Sequence, residues 1–290
     1  MLRKVVAGLL VLVVLGSAVV PAALAAGLDI NVTIPSVAEC NKLGDKEIKV
    51  INAVSGAESV DYLYTEKTKR WAEIYHELAK KEILDSVKET GRIIATTTKS
   101  TVMLGSDTTF YTSDSGDHGS SSWGVAPTWY GSQYYLSSNK VEAATLLGPG
   151  GYGSASAWGW VGKAFYVSGT GTKPANIIMR GHIYGLTSAV AGGNSNVEIN
   201  LVVYDTTTGA KYTTTIYQKS EGGLGWTGVD KDFNNGISVN LQGGHTYIVY
   251  TEVITSGAVY GTGEAGSDFG RFDGDYLGEG AWFYEITIDF

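Results

Sequence analysis

The stretch Val197–Tyr217 constrains the fold most. Val197, Ile199, Leu201 and Val203 fall on one side of an alternating run, with Glu198, Asn200 and Tyr204 on the other and Val202 the exception. A period of two marks a strand with one buried face. Asp205-Thr-Thr-Thr-Gly209 supplies a turn, and its glycine is free to take positive φ. The return arm, Lys211–Tyr217, is rich in Thr and Tyr, which suit a pleated, half-buried surface. Two strands alone bury too little to be stable, so this hairpin demands a second layer.

The rest of the chain supplies strands at regular intervals. Ala157–Val167 leads. Asn176–Tyr184 places Ile177, Met179 and Ile183 on one face and Arg180, His182 and Tyr184 on the other. Ile237, Val239 and Leu241 form a short strand that turns at Gly243-Gly244 into His245–Ile254, apolar on both faces and therefore central. At the end, Trp282, Tyr284, Ile286, Ile288 and Phe290 alternate with Glu285, Thr287 and Asp289, predicting a terminal strand with five inward side chains. High glycine (39), scarce proline (5) and abundant tyrosine (18) fit many short strands joined by tight turns. The expected fold is mainly β: an antiparallel β-sandwich, jelly-roll or immunoglobulin-like, over 157–290.

Ahead of it, 27–156 reads as a mixed region. Gly27–Ser36 alternates and predicts a short strand. Ser55-Gly-Ala-Glu58 has a capping-box pattern and opens an amphipathic helix over 57–90. Trp71, Ile74, Tyr75 and Leu78 follow helical spacing, with Leu84 and Val87 extending the buried side. Gly91 stands where a terminating glycine belongs. Gly105–Ser122 reads as a loop by composition, and Gly148–Ser156 as a flexible glycine-rich segment and candidate hinge.

Residues 1–26 have the form of a signal peptide: Arg3 and Lys4, the apolar run Val5–Val20, then Pro21 and the small-x-small site Ala23-Leu24-Ala25. The expected location is secreted or at the cell surface, with no membrane span once the leader is removed. Its loss takes two positive charges from a chain already at −8, which argues against nucleic acid and anionic membranes as partners. Cys40 is the sole cysteine, so stability rests on packing rather than an internal disulfide.

Three chemistries are weighed for function. Trp123, Trp129, Tyr130 and Trp226, together with Trp158 and Trp160, lie in Gly/Ser-rich stretches or at strand starts. Sugar rings stack on such side chains, so Trp123, Trp129, Tyr130 and Trp226 are the candidate ligand-binding residues for a glycan or a surface partner. Asp268, Asp273 and Asp275, with Glu264 and Glu279, crowd a glycine-rich loop that offers oxygen ligands to calcium, with Arg271 among them. Glu198, Glu252 and Glu285 lie on predicted strands, where paired carboxylates can run glycoside hydrolysis if they flank a cleft. A Gly-x-Ser-x-Gly elbow is lacking, and His76, His118, His182 and His245 are scattered without zinc spacing, so no catalytic residue is assigned. The preferred expectation is an exported, non-catalytic sandwich that binds glycan or a surface partner through loop aromatics. The alternatives are a self-assembling filament or coat subunit that lends Gly27–Ser36 to a neighbour's sheet, and a secreted polysaccharide hydrolase.

Overall fold

The computed structural model describes residues 57–97, 100–270 and 279–290. Strands dominate. A single long helix, α1 (Ala57–Thr97), precedes thirteen strands among the described residues. The expected β-sandwich is present. Sheet A joins β1 (Thr101–Met103), β3 (Ser115–Gly124), β6 (Gly151–Ser168), β8 (Asn194–Asp205), β9 (Lys211–Gly222) and β11 (Thr246–Gly261) in the order β6-β11-β8-β9, with β1 and β3 sharing the free edge of β6. Sheet B joins β2 (Thr108–Phe110), β4 (Thr128–Tyr135), β5 (Lys140–Leu147), β7 (Thr172–Val190), β10 (Gly225–Gln242), β12 (Glu264–Phe269) and β13 (Gly280–Asp289). β12 and β13 lie in one line along β7: Asp268 pairs with Leu186 and Gly280 with Tyr184. The signal-peptide stretch, Gly27–Ser36, Cys40, Asp273 and Asp275 lie outside the described residues.

The main core fills the space between the sheets, where Val161, Phe165, Ile199, Leu201, Val203, Val249 and Val253 of sheet A meet Ile177, Met179, Ile183, Phe283, Ile286 and Ile288 of sheet B. A second core lies on the opposite face of sheet A. There Ala79, Ile83 and Val87 of α1 pack on Trp158, Trp160, Ala164, Val202, Tyr204, Ile248, Tyr250 and Ile254. Sheet A is therefore buried on both sides, and β8 and β11 are buried almost throughout. This accounts for Val202, the residue that broke the alternation: it faces the helix.

Several local expectations change. α1 continues past residue 90 to Thr97 without a break. Gly91 is not a cap. A Cβ there would stand 3.0 Å from the Thr206 methyl, so its bareness lets the helix press onto the β8–β9 turn. That turn forms as expected: Asp205 Oδ1 accepts hydrogen bonds from the amides of Thr207 (2.8 Å) and Thr208 (3.2 Å), and Gly209 takes φ 79°. The polar run 105–122 is not a loop. It contains β2 and most of β3, because β6 offers β3 a full ladder over ten pairs and glycine suits the close contacts there. A Cβ on Gly116 would meet the Tyr134 ring at 2.5 Å, and one on Gly119 the Trp158 ring at 2.6 Å. The glycine-rich 148–156 segment is likewise the start of β6 rather than a hinge, and β1–β5 pair into the same two sheets as the later strands. In β13 the expected parity holds from Ile286 to the end and fails before it. A register shift between Phe283 and Glu285 puts Phe283, Ile286 and Ile288 inward and turns Trp282 and Tyr284 to the outside.

Candidate functional site

The four candidate aromatics sit on strands, not in loops: Trp123 at the end of β3, Trp129 and Tyr130 on β4, Trp226 at the start of β10. Trp123 is half-buried, edge-on to Trp71 of α1 at 5.2 Å and against Tyr152 at 5.3 Å. It closes one end of the helix–sheet interface. Tyr130 is adjacent to Trp129 in an extended strand and so points to the opposite face. Trp158 and Trp160 lie beneath α1, where their indole N–H groups donate to Glu82 (2.7 Å) and the Ser86 hydroxyl (3.0 Å).

Trp129 and Trp226 are different. Trp226 pairs with Ser188, Ser188 with Gly266, Gly266 with Leu146, and Leu146 with Trp129. Residues directly opposed across a sheet share a face, so these five make one row across the outside of sheet B. At ~4.8 Å per strand, four steps separate the indoles by roughly 19 Å. They are among the most exposed large side chains described, at 56% for Trp226 and 54% for Trp129. Each rests against a glycine. Trp226 Cη2 lies 3.7 Å from where a Cβ of Gly228 would stand, and Trp129 Cζ3 lies 3.6 Å from that of Gly148. Between them the floor is low: a Cβ at Gly266 would crowd Leu146 at 3.1 Å and Ser188 at 3.3 Å.

Further along the same face runs a second row, Asp232–His182–Trp282–Lys140–Tyr135. His182 stacks on Trp282 at 4.7 Å and sits between two carboxylates, with Nε2 2.9 Å from Asp230 and Nδ1 2.8 Å from Asp232. Exposed aspartates beside aromatic rings can accept hydroxyl hydrogen bonds while the rings offer an apolar face.

The three strand glutamates fall in two places. Glu285 is on sheet B, paired with Arg180 at 2.6 Å. Glu198 and Glu252 come together on the helix side of sheet A, where Asn200 Nδ2 donates to both, at 2.8 and 3.0 Å. Glu198 is also held by His76 Nε2 (3.0 Å) and Lys80 Nζ (2.9 Å). Burial pushes its carboxyl up, but the hydrogen bonds from His76, Asn200 and Lys80 and the charge of Lys80 together outweigh it and bring it down to about 2. Glu252 behaves oppositely. Burial raises it, Lys211 and Asn200 pull it back, the charge of Glu198 raises it again, and the net is upward. Its Oε2 is buried with no hydrogen-bond partner among the described residues. Two carboxylates pushed apart in this way resemble an acid–base pair in chemistry, yet Glu252 is 1% exposed beneath the helix. A polar groove of about 370 Å³ between α1 and the β8–β9 edge reaches Glu198 and His76 and does not include Glu252 in its lining.

The raised carboxyl of Glu252 carries a testable sign. The folded state keeps a proton that the unfolded chain gives up near pH 4.5, so stability is lost as pH rises from there through the raised folded value. Glu252→Gln is expected to be more stable than the wild type at pH 8, with the gain disappearing towards pH 4.5. Urea denaturation at the two pH values reads it directly, and a gain that does not change with pH contradicts the assignment.

Of the candidate calcium ligands, Asp268 is on β12, its Oδ1 accepting from the Gly270 amide at 3.1 Å. Asp273 and Asp275 lie outside the described residues, and among the described residues no group of three or more metal-ligating side chains converges. No helix among the described residues is long and apolar enough to cross a membrane.

Sequence reasoning placed His182 on the outer face, where it lies, and missed Trp282 and Tyr284 beside it, because the first half of the terminal strand was assigned the wrong parity. It also missed the buried Asn200 bridge. The signal for that bridge was present as three polar side chains, Glu198, Asn200 and Glu252, on the two most apolar strands.

No protein-family model matches the sequence, and no curated protein matches it. Among the solved structures that match, two show how faint the likeness is. One is an isomalto-dextranase of Arthrobacter globiformis T6 complexed with panose, at 13% identity over 59% of this chain and 23% of that one, with a TM-score of 0.18. The other is the CBM22-1–GH10 part of xylanase 10B of Clostridium thermocellum complexed with xylohexaose, at 14% identity over 53% of this chain and 27% of that one, with a TM-score of 0.14. The chain thus spans about a quarter of each, and at such TM-scores neither likeness carries an argument. The fold itself defines the class: a two-sheet β-sandwich with one long helix laid on the outside of sheet A.

Proposed function

We propose that this is an exported glycan-binding protein that contacts its ligand through the outer face of sheet B. One observation carries the reading: Trp129 and Trp226, both more than half exposed, stand in a single register row with a low floor of Ser188, Gly266 and Leu146 between them. Large exposed indoles are costly to leave in water, and a pair on one face of one sheet offers two stacking surfaces for pyranose rings. The acidic and amide side chains nearby accept and donate to hydroxyls, which gives orientation. Export rests on the form of the first 26 residues.

Trp129→Ala and Trp226→Ala are each expected to weaken glycan binding roughly tenfold, about 1.4 kcal/mol, without changing the denaturation midpoint. Trp123→Ala is expected to do the reverse, lowering stability by about 2 kcal/mol through its contacts with Trp71 and Tyr152 while sparing affinity. Glycan-array binding and chemical denaturation of the three variants separate these outcomes. Undiminished binding by the Trp129/Trp226 double variant ends the reading.

A further inference from the structure

Resting on that reading, we propose that the ligand is a single uncharged polysaccharide chain free in solution, not an acidic polymer and not an ordered solid. Two features of the face carry this. The first is charge. The centre of the tryptophan row is flanked on its own strand and face by carboxylates, Glu264 two residues before Gly266 and Asp268 two residues after it, and Asp230 and Asp232 stand farther along β10. The described cations of the same face are engaged, Arg180 by Glu285 at 2.6 Å and Lys140 by Glu142 at 2.5 Å, and the His182 ring is held between Asp230 and Asp232 at 2.9 and 2.8 Å. A uronate or sulfate laid along the row meets like charge at its middle, while among the described residues the face's Arg180 and Lys140 are held by carboxylates of their own, which works against association.

The second is twist. Neighbouring strands turn by about 20–25° relative to one another, so over four steps the two indoles point roughly 90° apart around the axis of the row. Rings aimed a quarter-turn apart cannot both lie on one flat crystalline surface. They can both touch a single chain that runs along the row, each from its own side.

Affinity electrophoresis and isothermal calorimetry on the full chain test the proposal, with neutral hydroxyethyl cellulose, dextran and galactomannan as soluble probes. Carboxymethyl cellulose and carboxymethyl dextran are their charged counterparts, and crystalline cellulose is the ordered solid. The expected result is binding to at least one neutral probe, at least roughly tenfold weaker binding to a carboxymethylated counterpart, and no depletion by the solid. The neutral-to-acidic gap should narrow in 0.5 M salt, because the repulsion is screened. Equal or tighter binding to the acidic polymers, or depletion by crystalline cellulose, overturns the proposal while leaving glycan binding standing. Binding to none of the probes, or binding unaffected in the Trp129→Ala/Trp226→Ala variant, overturns the glycan reading itself.

Discussion

A chain ending at Glu279 is expected to show no cooperative unfolding transition. β13 is an interior element of sheet B. It pairs with β7 from Tyr184 to Asn176 and on its other side with β2 and β5. Phe283, Ile286 and Ile288 are at most 1% exposed in the core between the sheets. At ~1.5–3 kcal/mol each, their burial contributes roughly 4–9 kcal/mol, which rivals the whole net stability of a typical domain, about 5–15 kcal/mol. Removal also strips β7 of its partner on one side from Asn176 to Tyr184 and leaves the ladder donors and acceptors there unpaired. Near-UV circular dichroism and urea titration of the truncated protein check this. Tyr284→Ser serves as the control: Tyr284 is turned outward at 51% exposure, and its loss is expected to cost less than about 0.5 kcal/mol. A truncated chain that still unfolds cooperatively, within about 2 kcal/mol of the full one, contradicts the role given to β13.

Asn200→Ala is expected to cost about 3 kcal/mol at pH 8 and clearly less at pH 5. Its amide is the shared donor between two buried carboxylates, and removing one partner from such a cluster leaves charge without compensation. Glu198 loses one of the hydrogen bonds that hold it down to about 2, and Glu252 loses one of the two groups that restrain its rise. The sign follows from both. In the wild type, the contribution of Glu198 is complete above its unfolded value near 4.5 and is lost as pH falls through about 2. Glu252, raised instead, costs most where it is ionised, at high pH. Without Asn200 the two charges repel with nothing between them, and acid relieves this by protonating Glu252. Denaturant midpoints across pH 5–8 measure the effect. A cost that stays constant over that range makes Asn200 a packing residue only.

The same cluster shows how far the chain could be read before it folded. The alternation of 197–203 was legible, and so were the Asp205–Gly209 turn, the central place of β11 and the existence of an amphipathic helix. Each depends on residues within one or two turns or strands of one another. The buried side of the helix was read as Trp71, Ile74, Tyr75 and Leu78, extended by Leu84 and Val87. Trp71, Tyr75 and Val87 are buried as read and Leu84 packs at the margin, but Ile74 and Leu78 are only half-buried and the line is completed by Ala72, His76, Ala79 and Ile83. The stripe is rotated because the surface beneath it carries Glu198 and Asn200, and His76 answers them. Glu198, predicted to face solvent, is buried for the same reason.

By itself, then, the sequence determined local periods: strands where every second residue is apolar, a helix where the repeat lengthens, turns where Asp and Gly meet. Only the tertiary structure decided which faces are covered, because α1 closing over sheet A buries side chains that alternation assigns to water. It decided parity as well, since one irregularity between Phe283 and Glu285 turns Trp282 and Tyr284 outward. And it alone set Trp129 beside Ser188, Gly266 and Trp226 in one row. Register between strands far apart in the chain comes from the packing of both sheets around a common core, which no local pattern encodes.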